Sequence, residues 1–379
     1  MISFIKSLFV DLNNSIDKML SHLDSLNDLS SVGKDFKEKT VMSLVELKTK
    51  IDAIIKSGIL EVDGFISNNI ITYNSINNSF MEIELFRFQA ISKYGKAEKF
   101  FDALIHKVYN EIECLQSVPF LSTISNSDTY YWAYPKYNMI ALPQGEEKNL
   151  LNLSDLYHEI GHLIYQQSGD FLVGEHIPNM QKYYGLEKQR MKDDGDLAFV
   201  DDIDEAISFW NSSWSEEFAC DLIGTYLVGP AYAWTNMKLS TVSSSYNAVY
   251  SEPNMFREHP PDEARMRAIF TMLKMNGFTT ELDEIEQAWN KFLNETQNSK
   301  PGGYDLIFSD DMIRSITNNV FKGCQNIGLR SYQEQLRLPS KSVSSLINDA
   351  WVHIRRSQST FGVWEADQLE KLIKIKESL

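Results

Sequence analysis

The stretch SDLYHEIGHLIYQQ, residues 154–167, decides how this chain is read. His158 and His162 stand four residues apart, so on an α-helix both imidazoles share one face and can reach a single metal ion. Glu159, beside the first histidine, is placed to take a proton from a water activated there. The surroundings predict the helix itself. Leu156, Ile160, Leu163 and Ile164 recur with the spacing of a buried stripe, and Ser154 precedes them as an N-cap. Gly161 costs about 1 kcal/mol against alanine inside a helix, which is easiest to accept if another backbone or a substrate comes close there.

A metal centre needs at least a third protein ligand. The spacing that would place Gly and His seven and ten residues after His158 fails, because Tyr165 and Ser168 stand there. The alternative source is SWSEEFACD, residues 213–221. Ser213 and Glu216 fit a capping box, and Phe218, Leu222, Tyr226 and Leu227 would face the core. That leaves Glu217 and Asp221 one turn apart on another face. We assign Glu217 as third ligand and Asp221 as the carboxylate that accepts the far N–H of a ligating histidine. Glu216 is the competing ligand, but the residue four places on from it is Cys220. Further on, EHPPDEAR at 258–265 holds His259 extended ahead of a proline-started helix whose Met266, Ile269, Phe270 and Leu273 look apolar-faced. His259 and Arg265 are then fixed donors that can stabilise an oxyanion.

HEIGH, then Glu217 with Asp221, then His259 and Arg265 in HPPDEAR resembles the gluzincin metallopeptidases, most closely the family of the CaaX prenyl endopeptidases and HtpX-type peptidases. The resemblance covers roughly residues 115 to 280. It implies a zincin-like catalytic domain with one zinc ion per chain on His158, His162 and Glu217. Glu159 would be the general base, Asp221 would support a ligand histidine, and His259 with Arg265 would act at the transition state. Many members of that family are embedded in membranes, whereas this chain has no spanning segment, so a prenylated substrate is not carried over. The 54 residues between His162 and Glu217 are a further departure.

Composition fits a soluble enzyme. The chain has 379 residues, is 43% hydrophobic and carries a formal net charge of -16, which argues against nucleic acid as partner. Its longest apolar run, around Leu222 to Trp234, is too short and too interrupted to insert in a membrane. The start MISFIKSLFVDLNNS reads as an amphipathic helix, not a signal peptide. Three widely spaced cysteines, Cys114, Cys220 and Cys324, fit reduced thiols in a cytoplasm.

The expected fold class is mainly α (α+β): a domain with a small sheet and the HExxH active-site helix, flanked by helical regions at both ends. The segments are a helical N-terminal module at 1–115, a gluzincin domain at 116–298 and a helical region at 299–379, set off by the polar stretch Glu295–Gly303. The N-terminal helices, with a stripe of Ile2, Ile5, Leu8, Phe9 and Leu12 and breaks near Asp28–Gly33, Gly58–Gly64 and Tyr94–Gly95, offer a surface for a protein partner. The aromatic run Tyr130, Tyr131, Trp132 and Tyr134, followed by Asn138–Leu142, reads as a β-hairpin. Its second strand is expected at an edge, with Asn138, Met139, Ile140 and Ala141 pairing with extended substrate. Residues Gly169–Ser212, with Asp193, Asp194, Asp196, Asp201, Asp202 and Asp204 and a helix over Met180–Met191, read as a lid or an acidic loop.

The expected function is zinc-dependent hydrolysis of peptide bonds, with an endopeptidase acting on a peptide or protein. The alternative is a catalytically silent zinc-containing binding or regulatory protein, which would hold metal without turnover. A ferritin-like di-iron site would need a second ExxH motif, and the sequence has none.

Overall fold

Apolar residues recur every three to four positions through most of the chain, and in the computed structural model these stretches are helices, joined by one small sheet. The structure describes residues 1–126, 130–195, 199–241, 249–250, 257–296 and 299–374. Among them no helix is long and apolar enough to cross a membrane. The chain divides into two compact units, one of Met1–Asp102, Val118–Trp132 and Lys136–Gln144, the other of Ala103–Ser117, Ala133–Pro135 and Gly145–Leu379.

In the first unit the helix Ile2–Ser25 buries Ile5, Phe9, Leu12, Ile16 and Leu23, while Ile2 and Leu8 of the expected stripe are only half-buried. Helix Ser31–Lys56 answers with Phe36, Leu44, Leu47 and Ile51. Its N-cap is Ser30, whose hydroxyl accepts from the Gly33 N–H at 3.0 Å and satisfies one of the orphan donors of the first turn. The expected breaks coincide with the gaps between Ser25 and Ser31, Lys56 and Ile66, and Ser92 and Lys96.

The sheet has strands β1 (Phe120–Ser125), β2 (Trp132–Tyr134) and β3 (Met139–Pro143) in the order β1-β3-β2. β1 runs parallel to β3, with Phe120 opposite Met139 and Leu121 opposite Ile140. β2 and β3 are neighbours, as the hairpin reading expects. The edge assignment is corrected: β3 is central and buried along its length. Asn138 enters this strand with a positive φ, and its amide donates to the Val118 carbonyl at 3.2 Å. With β1 and β2 on its two sides, β3 is not an edge strand. β1, which shows no apolar alternation, is the element the sequence reading omits.

The second unit is built around two helices, Leu153–Val173, which carries HEIGH, and Ser215–Val228. Leu156, Ile160, Leu163 and Ile164 are all buried, as their spacing predicts. The helix begins one residue before Ser154, which is itself buried and caps nothing. Ser213 does not cap the second helix either. Residues Val200–Phe209 run through a π-helical turn at Trp210–Trp214 directly into Ser215–Val228, so the expected capping box with Glu216 has no helix start to serve. Gly161 is where the two main helices meet. A Cβ there would lie 2.8 Å from the Cys220 Cα, so only glycine admits this approach.

The described residues of 169–212 are mostly helical rather than a loop. Helix His176–Asp194 buries Met180, Tyr184 and Met191, and Val200–Phe209 buries Ile203 and Ala206. Asp193, Asp194, Asp201 and Asp204 lie on exposed faces, and Asp196 is outside the described residues. Beyond the stretch Glu295–Gly303, helix Asp310–Asn326 packs on both main helices. The division into 1–115, 116–298 and 299–379 thus differs from the two units found. The physical reason is that the C-terminal helices bury their apolar faces against the same pair of helices that bears the motifs.

Candidate metal centre

Four elements of the second unit converge on one point. Helix Leu153–Val173 supplies His158, Glu159 and His162, and Ser215–Val228 supplies Glu216, Glu217 and Asp221. Helix Pro230–Thr241 brings Tyr232, and helix Asp262–Met275 with the segment entering it brings Arg265 and His259. The Trp214 indole donates to the Arg257 carbonyl at 2.8 Å and ties down the backbone just before His259. Pro261 is extended (φ -61°, ψ 143°) and hands over to the helix, as the proline pair predicts.

The donor atoms of His158, His162 and Glu217 all lie within 4.8 Å of one another, an arrangement that could hold a metal ion. Glu217 spans the two rings: its Oε2 is 3.5 Å from His158 Nε2, and its Oε1 is 3.7 Å from His162 Nε2. The imidazoles meet edge to face with centroids 5.0 Å apart. All three side chains are largely shielded, at 12%, 17% and 12% exposure. Glu217 Oε2 is buried yet accepts no hydrogen bond, although His259 Nδ1 lies 3.1 Å away. An unmatched buried carboxylate oxygen is costly, and a cation coordinated there would satisfy it. The donor set of two nitrogens and a carboxylate therefore fits a divalent ion.

Behind the ligands stands a network around Asp221, which is fully buried. His158 Nδ1 lies 3.0 Å from Asp221 Oδ1, and the Tyr232 hydroxyl donates to the same oxygen at 2.6 Å. Arg265 forks onto the carboxylate, Nε to Oδ2 at 2.6 Å and Nη2 to Oδ1 at 2.7 Å. Arg265 thus directs its Nε and one Nη2 N–H at Asp221. Both of these N–H groups are committed to Asp221, and the side chain is only 11% exposed. His259 keeps a ring that is 45% exposed beside Glu217. On the other side, His162 Nδ1 lies 2.8 Å from Glu216 Oε1.

Charge follows these contacts. Burial alone would raise the Asp221 carboxyl, but the Arg265 guanidinium and His158 outweigh it and hold the group well below the usual carboxylate range. For Glu217, too, burial is outweighed by contact with His158 and His259, which keeps it ionised. Burial opposes charge on His158 and His162, yet their carboxylate partners, Asp221 and Glu217 for the first and Glu216 for the second, shift both upward. Glu159 is 6% exposed and pushed upward by burial, while both histidines and a backbone hydrogen bond from Ala133 moderate the shift.

The structure thus brings together His158, Glu159, His162, Glu217, Asp221, His259 and Arg265, which are spread over about a hundred residues of chain. Asn138–Ala141 belong to the first unit. Sequence reasoning missed Tyr232. A chain reversal at Gly229 separates its helix from the one bearing Asp221, so no periodicity connects the two. The one available signal was Gly224, where a Cβ would lie 2.6 Å from the Tyr232 ring. Comparison with protein-family models, with curated proteins and with solved structures finds no match for this chain.

Proposed function

We propose that this chain is a zinc-dependent metallopeptidase of the gluzincin type, an endopeptidase acting on a peptide or protein. The observation that carries the reading is Glu159. It is buried between two ligand histidines, and none of the three metal-binding side chains needs it as a support, because Asp221, Glu216 and His259 stand beside them. A structural site has no use for such a carboxylate.

His158, His162 and Glu217, with Glu217 3.5 Å and 3.7 Å from the two imidazole nitrogens, are the residues that would hold the ion. Zinc held by His158, His162 and Glu217 would polarise the scissile carbonyl and acidify the attacking water. Glu159 would take the proton of the attacking water and pass it to the leaving amine. His259, half exposed beside Glu217, can donate to the developing oxyanion. Arg265 and Tyr232 act through Asp221, keeping His158 in the tautomer that offers Nε2.

The ligand assignment is tested by elemental analysis. Purified protein should carry about one zinc per chain, and Glu217→Ala should lose most of it together with peptide hydrolysis. Full zinc retention in Glu217→Ala would contradict the assignment.

A further inference from the structure

Glu216 and Glu217 are adjacent in sequence, and successive helical residues point about 100° apart, so the two carboxylates address different sides of His162. Glu217 Oε1 approaches Nε2 at 3.7 Å, whereas Glu216 Oε1 approaches Nδ1 at 2.8 Å. His158 is arranged alike, with Nε2 toward Glu217 at 3.5 Å and Nδ1 on Asp221 at 3.0 Å. Each imidazole therefore has a carboxylate behind it and the shared centre in front.

We propose that Glu216 is a positioning residue for His162: it accepts the Nδ1–H, fixes the tautomer that leaves Nε2 free to coordinate, and locks the ring's orientation. This rests on the metal reading above but not on peptide hydrolysis.

The two supports differ in charge. Asp221 is matched by Arg265, while no lysine or arginine pairs with Glu216 among the described residues. At 36% side-chain exposure Glu216 is open to water. Its carboxylate stands one imidazole away from the centre with no guanidinium on it. Asp221 supplies orientation with its charge already neutralised.

The test compares the full-length protein with Glu216→Ala and Glu216→Gln. The readouts are zinc affinity by competition with a chelating dye and the visible spectrum of the Co(II)-substituted form. Glu216→Ala should weaken zinc about 10–100-fold and alter the cobalt spectrum, because the ring loses its anchor. In Glu216→Gln the amide oxygen can accept the same Nδ1–H, so the spectrum should return toward wild type while a smaller affinity loss remains from the missing charge. Zinc binding by Glu216→Ala within about twofold of wild type, with an unchanged cobalt spectrum, would overturn the proposal. Should circular dichroism show the alanine variant unfolded, Glu216→Met, close in size but without an acceptor for the Nδ1–H, takes its place: weaker zinc with an altered cobalt spectrum supports the proposal, and wild-type affinity with an unchanged spectrum overturns it. Failure of the wild-type protein to bind either metal would instead remove the metal reading beneath it.

Discussion

A fully buried carboxylate is tolerable only when its charge is matched, and Asp221 meets that requirement with a guanidinium fork, a phenol and an imidazole at once. His176 solves the same problem by staying neutral. It is fully buried against Trp210, its Nδ1 lies 3.2 Å from the Ser315 hydroxyl, and its Nε2 has no partner. Burial pushes its pKa down to about 4. An unfolded chain would protonate this ring near pH 6.5, whereas the folded one resists until about pH 4. Between those values the unfolded state binds more protons, so the stability that neutral His176 contributes is present above the window and is lost as pH falls through it. Replacing His176 with glutamine removes the titration. The stability gap between wild type and His176→Gln in urea melts should narrow by about 2 kcal/mol from about pH 7.5 to about pH 5. A gap independent of pH would contradict the assignment of a neutral, buried ring.

At the scale of elements, the contact between helices Leu153–Val173 and Ser215–Val228 sets the ligand geometry. Glycine at 161 is what allows it. In an exposed helix Gly→Ala gains up to about 1 kcal/mol. Here the added methyl would meet the Cys220 backbone at 2.8 Å, and backbone cannot swing aside as a side chain can. Gly161→Ala should therefore destabilise by about 1–3 kcal/mol in denaturant melts and weaken metal binding, since the helices must part. A more stable variant would show that the close approach is absent. Much of this element was legible beforehand, because a period of 3.6 fixed the buried stripe and the face carrying His158 and His162. The helix starts were not. Ser154, Ser213 and Glu216 carry good capping chemistry, but burial of Ser154 and continuity through the π turn at Trp210–Trp214 override that local preference. The edge assignment of β3 failed for a related reason: its neighbour β1 has no alternating pattern to announce it.

Over the whole molecule, the centre draws its ligands from segments 54 residues apart, and folding brings three separate motifs to one point. Residue spacing picked out His158, His162 and Glu217, the group that could hold a metal ion, because each motif is local to one helix. Tyr232 and the fork of Arg265 onto Asp221 were not legible, since both depend on how separate helices cross. A net charge of -16 and a mostly helical architecture are compatible with many activities, so function rests on the site. The direct test is cleavage of an unbiased peptide pool by the zinc-loaded protein, read by mass spectrometry beside Glu159→Gln. The account predicts cuts by the wild type that fall by about 100-fold or more in Glu159→Gln, with the zinc content of the two proteins equal. Equal cutting by both proteins, or zinc-loaded wild type that cuts nothing, would contradict a Glu159-driven peptidase.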